Sequence, residues 1–219
     1  MHLLKRVSPG FFALLLCVLS PSAIAQKGAG EININGQIVL AARAGLVDRV
    51  VALLGQGAKV NSRDRNGDSP LNMAAAKGNL ALVDALLKAE ADVNLANVAG
   101  VTPLMGAAFN GSANIIQKLI TAGAKIDQLD RVKKTAATYA AGNGCSACLQ
   151  VLIDAGLQVN ALLDNDLTLL MWAAAYGQEA SVKLLLAQGA NRTLKDARGK
   201  TAADMARDAN HLSVVKLIE

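Results

Sequence analysis

The residues best suited to covalent chemistry are Cys145 and Cys148, which bracket the tetrapeptide Cys145-Ser146-Ala147-Cys148. The flanking pattern predicts a helix start there. Two cysteines three apart at such a start can close a disulfide in an oxidising compartment. The same placement favours the thiolate, which is the basis of redox C-x-x-C motifs. Those motifs follow a strand in a βαβ fold, whereas the segments around this one read as helices. Two readings therefore stand side by side: a structural bridge or two partly buried thiols, and a redox-active pair. A bridge over so short a span adds little loop-closure stability.

Other chemistry lacks its parts. Apart from His2 near the N-terminus, His211 is the one imidazole, so a Ser-His-Asp or Cys-His arrangement has nothing further to draw on. A zinc site would need about four Cys, His or carboxylate ligands converging, and no such cluster is spaced along the chain. No Gly-rich phosphate loop occurs among the 19 glycines. The expectation is a protein that is not an enzyme, with no catalytic residues, no metal and no cofactor.

The elements that position these residues follow from a repeat of 33 residues, a period that has to be sought before other folds are weighed. Ser69-Pro70-Leu71 and Thr102-Pro103-Leu104 stand 33 apart, and Thr135-Ala136-Ala137, Thr168-Leu169-Leu170 and Thr201-Ala202-Ala203 continue the register. Alanine pairs follow at 41–42, 74–75, 107–108, 140–141 and 173–174, each with a glycine three residues on (Gly45, Gly78, Gly111, Gly144, Gly177). Ser69 and Thr102 suit N-caps, and Pro70 and Pro103 suit the first helical turn, where no N–H is needed. The alanines keep one helix face thin, and the glycine suits a left-handed stop. A second helix follows, with apolar residues at helical spacing such as Leu82, Val83, Leu86 and Leu87. It ends at Gly57, Gly123, Gly156 or Gly189, with Glu90 as the exception. One such unit cannot bury its apolar face alone, so stacking must create the core.

On these residues the chain resembles the ankyrin-repeat family, whose units read roughly G-x-T-P-L-x-x-A-A-x-x-G, then an apolar helix, then G-A-x-x-N. The resemblance covers residues 34–219, with units beginning at Ile34, Gly67, Gly100, Lys133 and Asp166 and a truncated one at Gly199. It implies an all-α solenoid of helix-turn-helix units with projecting β-turns. It also places His211 at a position where such units often carry a structural histidine.

The N-terminus predicts something different. Lys5 and Arg6 precede an apolar run from Phe11 to Leu19, Pro21 breaks it, and Ala23-Ile24-Ala25 supplies small residues. That is the pattern of a secretory signal peptide over residues 1–25, cleaved after Ala25, with 26–33 as a short extension. The run is too short to span a bilayer. The expected location is periplasmic or secreted, in a bacterium, with no stable membrane insertion after cleavage. The formal net charge of +5 is mild, and acidic and basic residues alternate, as in Lys59-Arg63-Asp64-Arg65. A nucleic-acid partner would demand clustered cations with interleaved aromatics, so none is expected.

The family resemblance implies instead that the chain, expected to be a monomer, holds a protein partner on a concave face of first helices and turn tips. Carried over position by position, the first-helix contacts fall on Arg43, Lys77, Phe109, Asn110, Asn143 and Tyr176. The turn contacts fall on Arg65, Asp68, Val101, Arg131 and Lys134. Phe109 and Tyr176 stand out, because aromatics carry interface energy and the chain outside the leader has only four. Tyr139 and Trp172, one residue before an alanine pair, are expected to pack. Analogy with exported ankyrin proteins adds a narrower version, an accessory or protective factor for an oxidative-stress enzyme. The thiol-disulfide function of Cys145 and Cys148 is the alternative from another class.

Overall fold

The structure, a computed structural model, describes residues 33–219; the expected leader and all but the last residue of the extension lie outside the described residues. Among the described residues, twelve α-helices run in pairs and no strand is present. The pairs are α1 (Ile34–Ala44) with α2 (Val47–Gly55), α3 (Pro70–Ala76) with α4 (Leu80–Lys88), and α5 (Pro103–Asn110) with α6 (Ala113–Thr121). They continue as α7 (Ala136–Gly142) with α8 (Ser146–Asp154), α9 (Leu169–Ala175) with α10 (Glu179–Ala187), and α11 (Ala202–Asp208) with α12 (Leu212–Ile218).

Each odd helix from α3 on starts where a hydroxyl accepts a backbone N–H three residues ahead: Ser69, Thr102, Thr135, Thr168 and Thr201. Such a cap satisfies one of the orphan donors at a helix start. Unit one has no Ser/Thr-Pro at that place. Asn33 caps it instead, accepting the Gly36 N–H at 2.8 Å, so α1 begins earlier and runs 11 residues against 7 in α3. The stops are left-handed, as at Gly111 (φ 77). Two are made without glycine, by Glu90 (φ 59) and Asn210 (φ 60).

The odd helices pack on one another in one row and the even helices in a second. The alanine pairs explain the closeness of the odd row: Ala74, Ala75, Ala107, Ala108, Ala140, Ala141, Ala173 and Ala174 are all fully buried. At Gly106 a Cβ would already stand 3.3 Å from the Ala76 backbone. The even row is filled by larger groups, among them Leu82, Leu86, Ile115, Leu119, Leu149 and Leu152. A polar stitch joins successive units, because the residue before each even helix lies against the stop glycine of the unit before. Asn79 lies against Gly45, Gln178 against Gly144 and the His211 ring against Gly177. His211 is therefore a packing residue.

The loops between units share one device. Oδ1 of Asp64, Asn97, Asp130 and Asp196 each accepts two backbone N–H groups, two and four residues ahead. Burial raises the Asp64 carboxyl, yet the N–H groups of Asp68 and Asn66 and the Arg43 guanidinium outweigh it and hold the group below its ordinary value. No helix among the described residues is long and apolar enough to cross a membrane.

Candidate binding face

The repeat register sets Tyr139 on α7 and Trp172 on α9 at equivalent positions, while Phe109 lies on α5 one turn beyond Gly106. The Phe109 ring meets Tyr139 edge-on, with centroids 6.0 Å apart and planes at 85°. Trp172 and Tyr176, four residues apart and so one helical turn apart, stack at 6.0 Å with planes at 7°. Lys134 joins the two pairs, its Nζ 5.5 Å from the Tyr139 centroid and 4.9 Å from that of Trp172. Four rings and one ammonium thus form a continuous run across three units. An ammonium over a ring face is attracted by the ring quadrupole.

Burial divides this run. Tyr139 and Trp172 are half-buried and packed against the core, while Phe109 is 62% and Tyr176 54% exposed. The half-buried members hold the exposed ones in place, so the outer rings have little rotamer freedom to lose when a surface covers them. Asp130 anchors the whole arrangement from the preceding loop. Its Oδ1 fixes the turn that carries Lys134, and its Oδ2 accepts the Tyr139 phenol at 2.6 Å. Burial first, and then the Asp130 hydrogen bond and charge, push the Tyr139 phenol up to about 12.

The other contact candidates fall into two groups. Arg65, Arg131 and Asn110 are exposed, and neither arginine makes an ion pair among the described residues. The rest serve the fold as well. Arg43 pairs with Asp64, Lys77 donates to the Arg43 carbonyl, and Asn143 donates to the Phe109 carbonyl at 2.7 Å. Asp68 accepts from Asn97, and Val101 is half-buried against the core. Sequence reasoning passed over Asp130, although its register with Asp64 and Asp196 was the available signal. It also left Tyr139 and Trp172 as separate packing residues, because the contact between neighbouring units is not a sequence distance.

Cys145 and Cys148 are joined as a disulfide with Cα atoms 5.2 Å apart. Cys148 is fully buried at the register position that Ile115 fills in the unit before and Ser181 in the unit after, and Cys145 is half-buried at the N-cap of α8. The Cys145 sulfur accepts the Cys148 N–H at 3.1 Å. The bridge therefore joins a core residue to a half-buried one packed against the core. Among the described residues no group of three or more His, Cys, Asp or Glu side chains is placed to hold a metal ion.

The chain is similar to known proteins over nearly all of its described length. The family profile for ankyrin repeats (3 copies) matches residues 38–130, 104–196 and 137–219. No curated protein matches the chain. Among solved structures, one similar chain comes from the complex of the Bd0816 predatory endopeptidase from Bdellovibrio bacteriovorus with immunity protein Bd3460. It is 30% identical, the match covers 83% of this chain and 96% of that one, and the TM-score is 0.74. A second is EF0377, an ankyrin repeat protein, at 25% identity, 84% and 96% coverage and a TM-score of 0.75.

Proposed function

This chain belongs to the ankyrin-repeat family, and from that premise we propose that it is a non-enzymatic binding protein that holds a protein partner on its odd-helix face. The observation that carries this reading is the aromatic run, in which Phe109 and Tyr176 are exposed yet braced by Tyr139, Trp172 and Lys134. Braced aromatics beside unpaired arginines are the side chains from which binding hot spots are built. Arg65 and Arg131 at the turn tips, with Lys134 between the rings, favour a partner with carboxylates around an apolar contact.

The partner class follows from two supports. The leader pattern and the Cys145–Cys148 bridge agree with an exported, oxidising compartment such as the periplasm. One similar structure is a complex of an endopeptidase with an immunity protein. The reading is therefore a monomeric chain that restrains or protects an enzyme of the same compartment. Membrane and nucleic acid play no part in it. The alternative of thiol-disulfide exchange is disfavoured by the context of the pair, since redox C-x-x-C motifs follow a strand of a βαβ fold and Cys145 and Cys148 open a helix of an all-helical repeat array.

Affinity capture from a periplasmic extract tests the proposal, with the chain from Gln26 as bait and a Phe109→Ala/Tyr176→Ala variant of unchanged circular dichroism as control. A partner held by the first and lost by the second is expected. Equal capture by both baits refutes the aromatic face.

A further inference from the structure

Four departures from the repeat meet at the junction of units four and five. Ala137 stands where Leu71, Leu104 and Leu170 fill the core, each no more than 1% exposed. Leu163 stands where Asp64, Asn97, Asp130 and Asp196 cap their turns. It cannot accept two N–H groups, and the turn becomes a 3-10 segment, Asp164–Asp166, in which Asn165 is left-handed as well as Asp166, whose position is left-handed in the other turns too. Asp127 stands where Asn61, Asn94 and Asn160 each accept the N–H of the next loop, from Asp92, Lys125 and Asn191. No such bond joins Asp127 to Gln158, whose side chain bonds the Gly156 carbonyl instead. Finally, the turn tips are laddered by Val98 N–H to Asn66, Arg131 N–H to Ala99 and Ala197 N–H to Asn165, but the equivalent pair, Asp164 N–H and the Val132 carbonyl, is unbonded.

What remains between these two loops is a half-open cleft of about 500 Å³ lined by Ile126, Leu129, Ala137, Leu157, Leu162 and Leu163, with Lys133 and Asp164 as polar neighbours. A volume of this size is within the range of pre-formed ligand sites. Leu129 and Leu162 are each more than half exposed there. Packed interiors leave few gaps of this kind, and a truncated core residue leaves its neighbours short of contacts.

We propose that this cleft is a peptide-binding site that takes a leucine-class side chain on an extended segment of the protein partner. The occupant is defined by what the junction lacks. The missing group is the remainder of a leucine side chain beyond the Ala137 Cβ, and the missing bond is one backbone donor with one acceptor across the turn tips. An extended peptide supplies both. Its carbonyl accepts the Asp164 N–H, its N–H donates to the Val132 carbonyl, and its alternate side chain enters the cleft, the logic of strand addition at an open edge. Only the choice of a peptide as occupant rests on the reading that the partner is a protein; the cleft itself is separate from the aromatic run.

The test is a titration of the 15N-labelled chain from Gln26 with acetyl-Ser-Leu-Ser-amide, followed by amide chemical shifts, with acetyl-Ser-Ala-Ser-amide and octanoate as comparison probes. Saturable shifts are expected at Leu129, Ala137 and Leu162 to Asp164, with roughly tenfold or more weaker binding of the alanine peptide. Ala137→Leu fills the cleft from within and removes the shifts. Leu163→Asp, which restores the capped turn, does the same by an independent route and covers the case in which the first variant folds poorly. Absence of saturable shifts, equal binding of the two peptides, or shifts that persist in both variants overturns the proposal. Binding of octanoate without the leucine peptide also overturns it and reassigns the cleft to a small apolar ligand. Because the titration needs no natural partner, a null result beside successful capture through Phe109 and Tyr176 sinks this site alone.

Discussion

Replacing Asp130 by alanine disconnects the aromatic run from the loop that braces it. Three hydrogen bonds end on this one carboxylate: Val132 and Lys134 N–H at 2.9 Å each, and the Tyr139 phenol at 2.6 Å. The side chain is buried, at 6% exposure, whereas its two backbone donors are only part-buried and recover some water. A bond to a charged acceptor contributes about 1.5–3 kcal/mol when buried. Discounting the two turn bonds for solvent, the expected loss is about 2–4 kcal/mol in all. For a repeat array of this length that lowers the melting midpoint by about 6–12 °C. Asp130→Asn is the informative companion. Asn97 already caps its own turn through an amide Oδ1. An asparagine in place of Asp130 therefore keeps both turn bonds, and its Nδ2 can face the phenol oxygen, at a loss of about 1 kcal/mol. Thermal unfolding by circular dichroism reads both. A spectrophotometric titration supplies the local readout, with Tyr139 moving from about 12 toward its ordinary 10.0 in Asp130→Ala. The reasoning is refuted if Asp130→Asn destabilises as much as Asp130→Ala, or if the Tyr139 titration does not move.

Three shorter predictions concern the scaffold. Gly100→Ala destabilises by about 1–2 kcal/mol in urea unfolding, because φ is +81 and the new Cβ would stand 3.0 Å from the Asp130 backbone, which cannot swing aside as a side chain can; a neutral result removes the close approach of the two turns from the account. Reduction of Cys145–Cys148 lowers stability by about 2 kcal/mol or less, since the loop closed is so short, and leaves the helical signal intact; collapse of that signal on adding dithiothreitol contradicts it. Asp64 and Asp196, against the upward push of burial, and Asp204 are each held below their ordinary 3.8 by accepted hydrogen bonds and a neighbouring arginine. A depressed carboxyl stabilises fully above the unfolded value and loses its contribution as pH falls through the folded one, so the urea midpoint should be level from neutral pH down to about 5 and drop below about 4. A midpoint that holds steady into that acid range counts against these capped turns.

Much of this protein is legible in the chain because its order is local and periodic. The hydroxyl before each odd helix from α3 on, and the alanine pair and following glycine of the first five odd helices, recur every 33 residues, and each fixes a backbone state within a few residues of itself. A solenoid adds only contacts between neighbours, so the period yields the fold and the pairing of its helices without reference to distant pairs. The same reasoning gave Phe109 and Tyr176 as exposed aromatics and placed Cys145 and Cys148 at one helix start.

What the period could not give is how side chains from successive units meet. Phe109 and Tyr139 are 30 residues apart in sequence and edge to face in space, and Lys134 lies between two rings that belong to different units. Those encounters depend on the spacing between units and on side-chain rotamers, which no single unit encodes. The cleft beside Ala137 is of the same kind: three of its four departures are readable substitutions, but only stacking brings Ala137, Asp127 and Leu163 to one place and leaves the turn tip there unbonded. Local sequence determines which groups each unit presents, and the packing of unit on unit decides which of them become a surface.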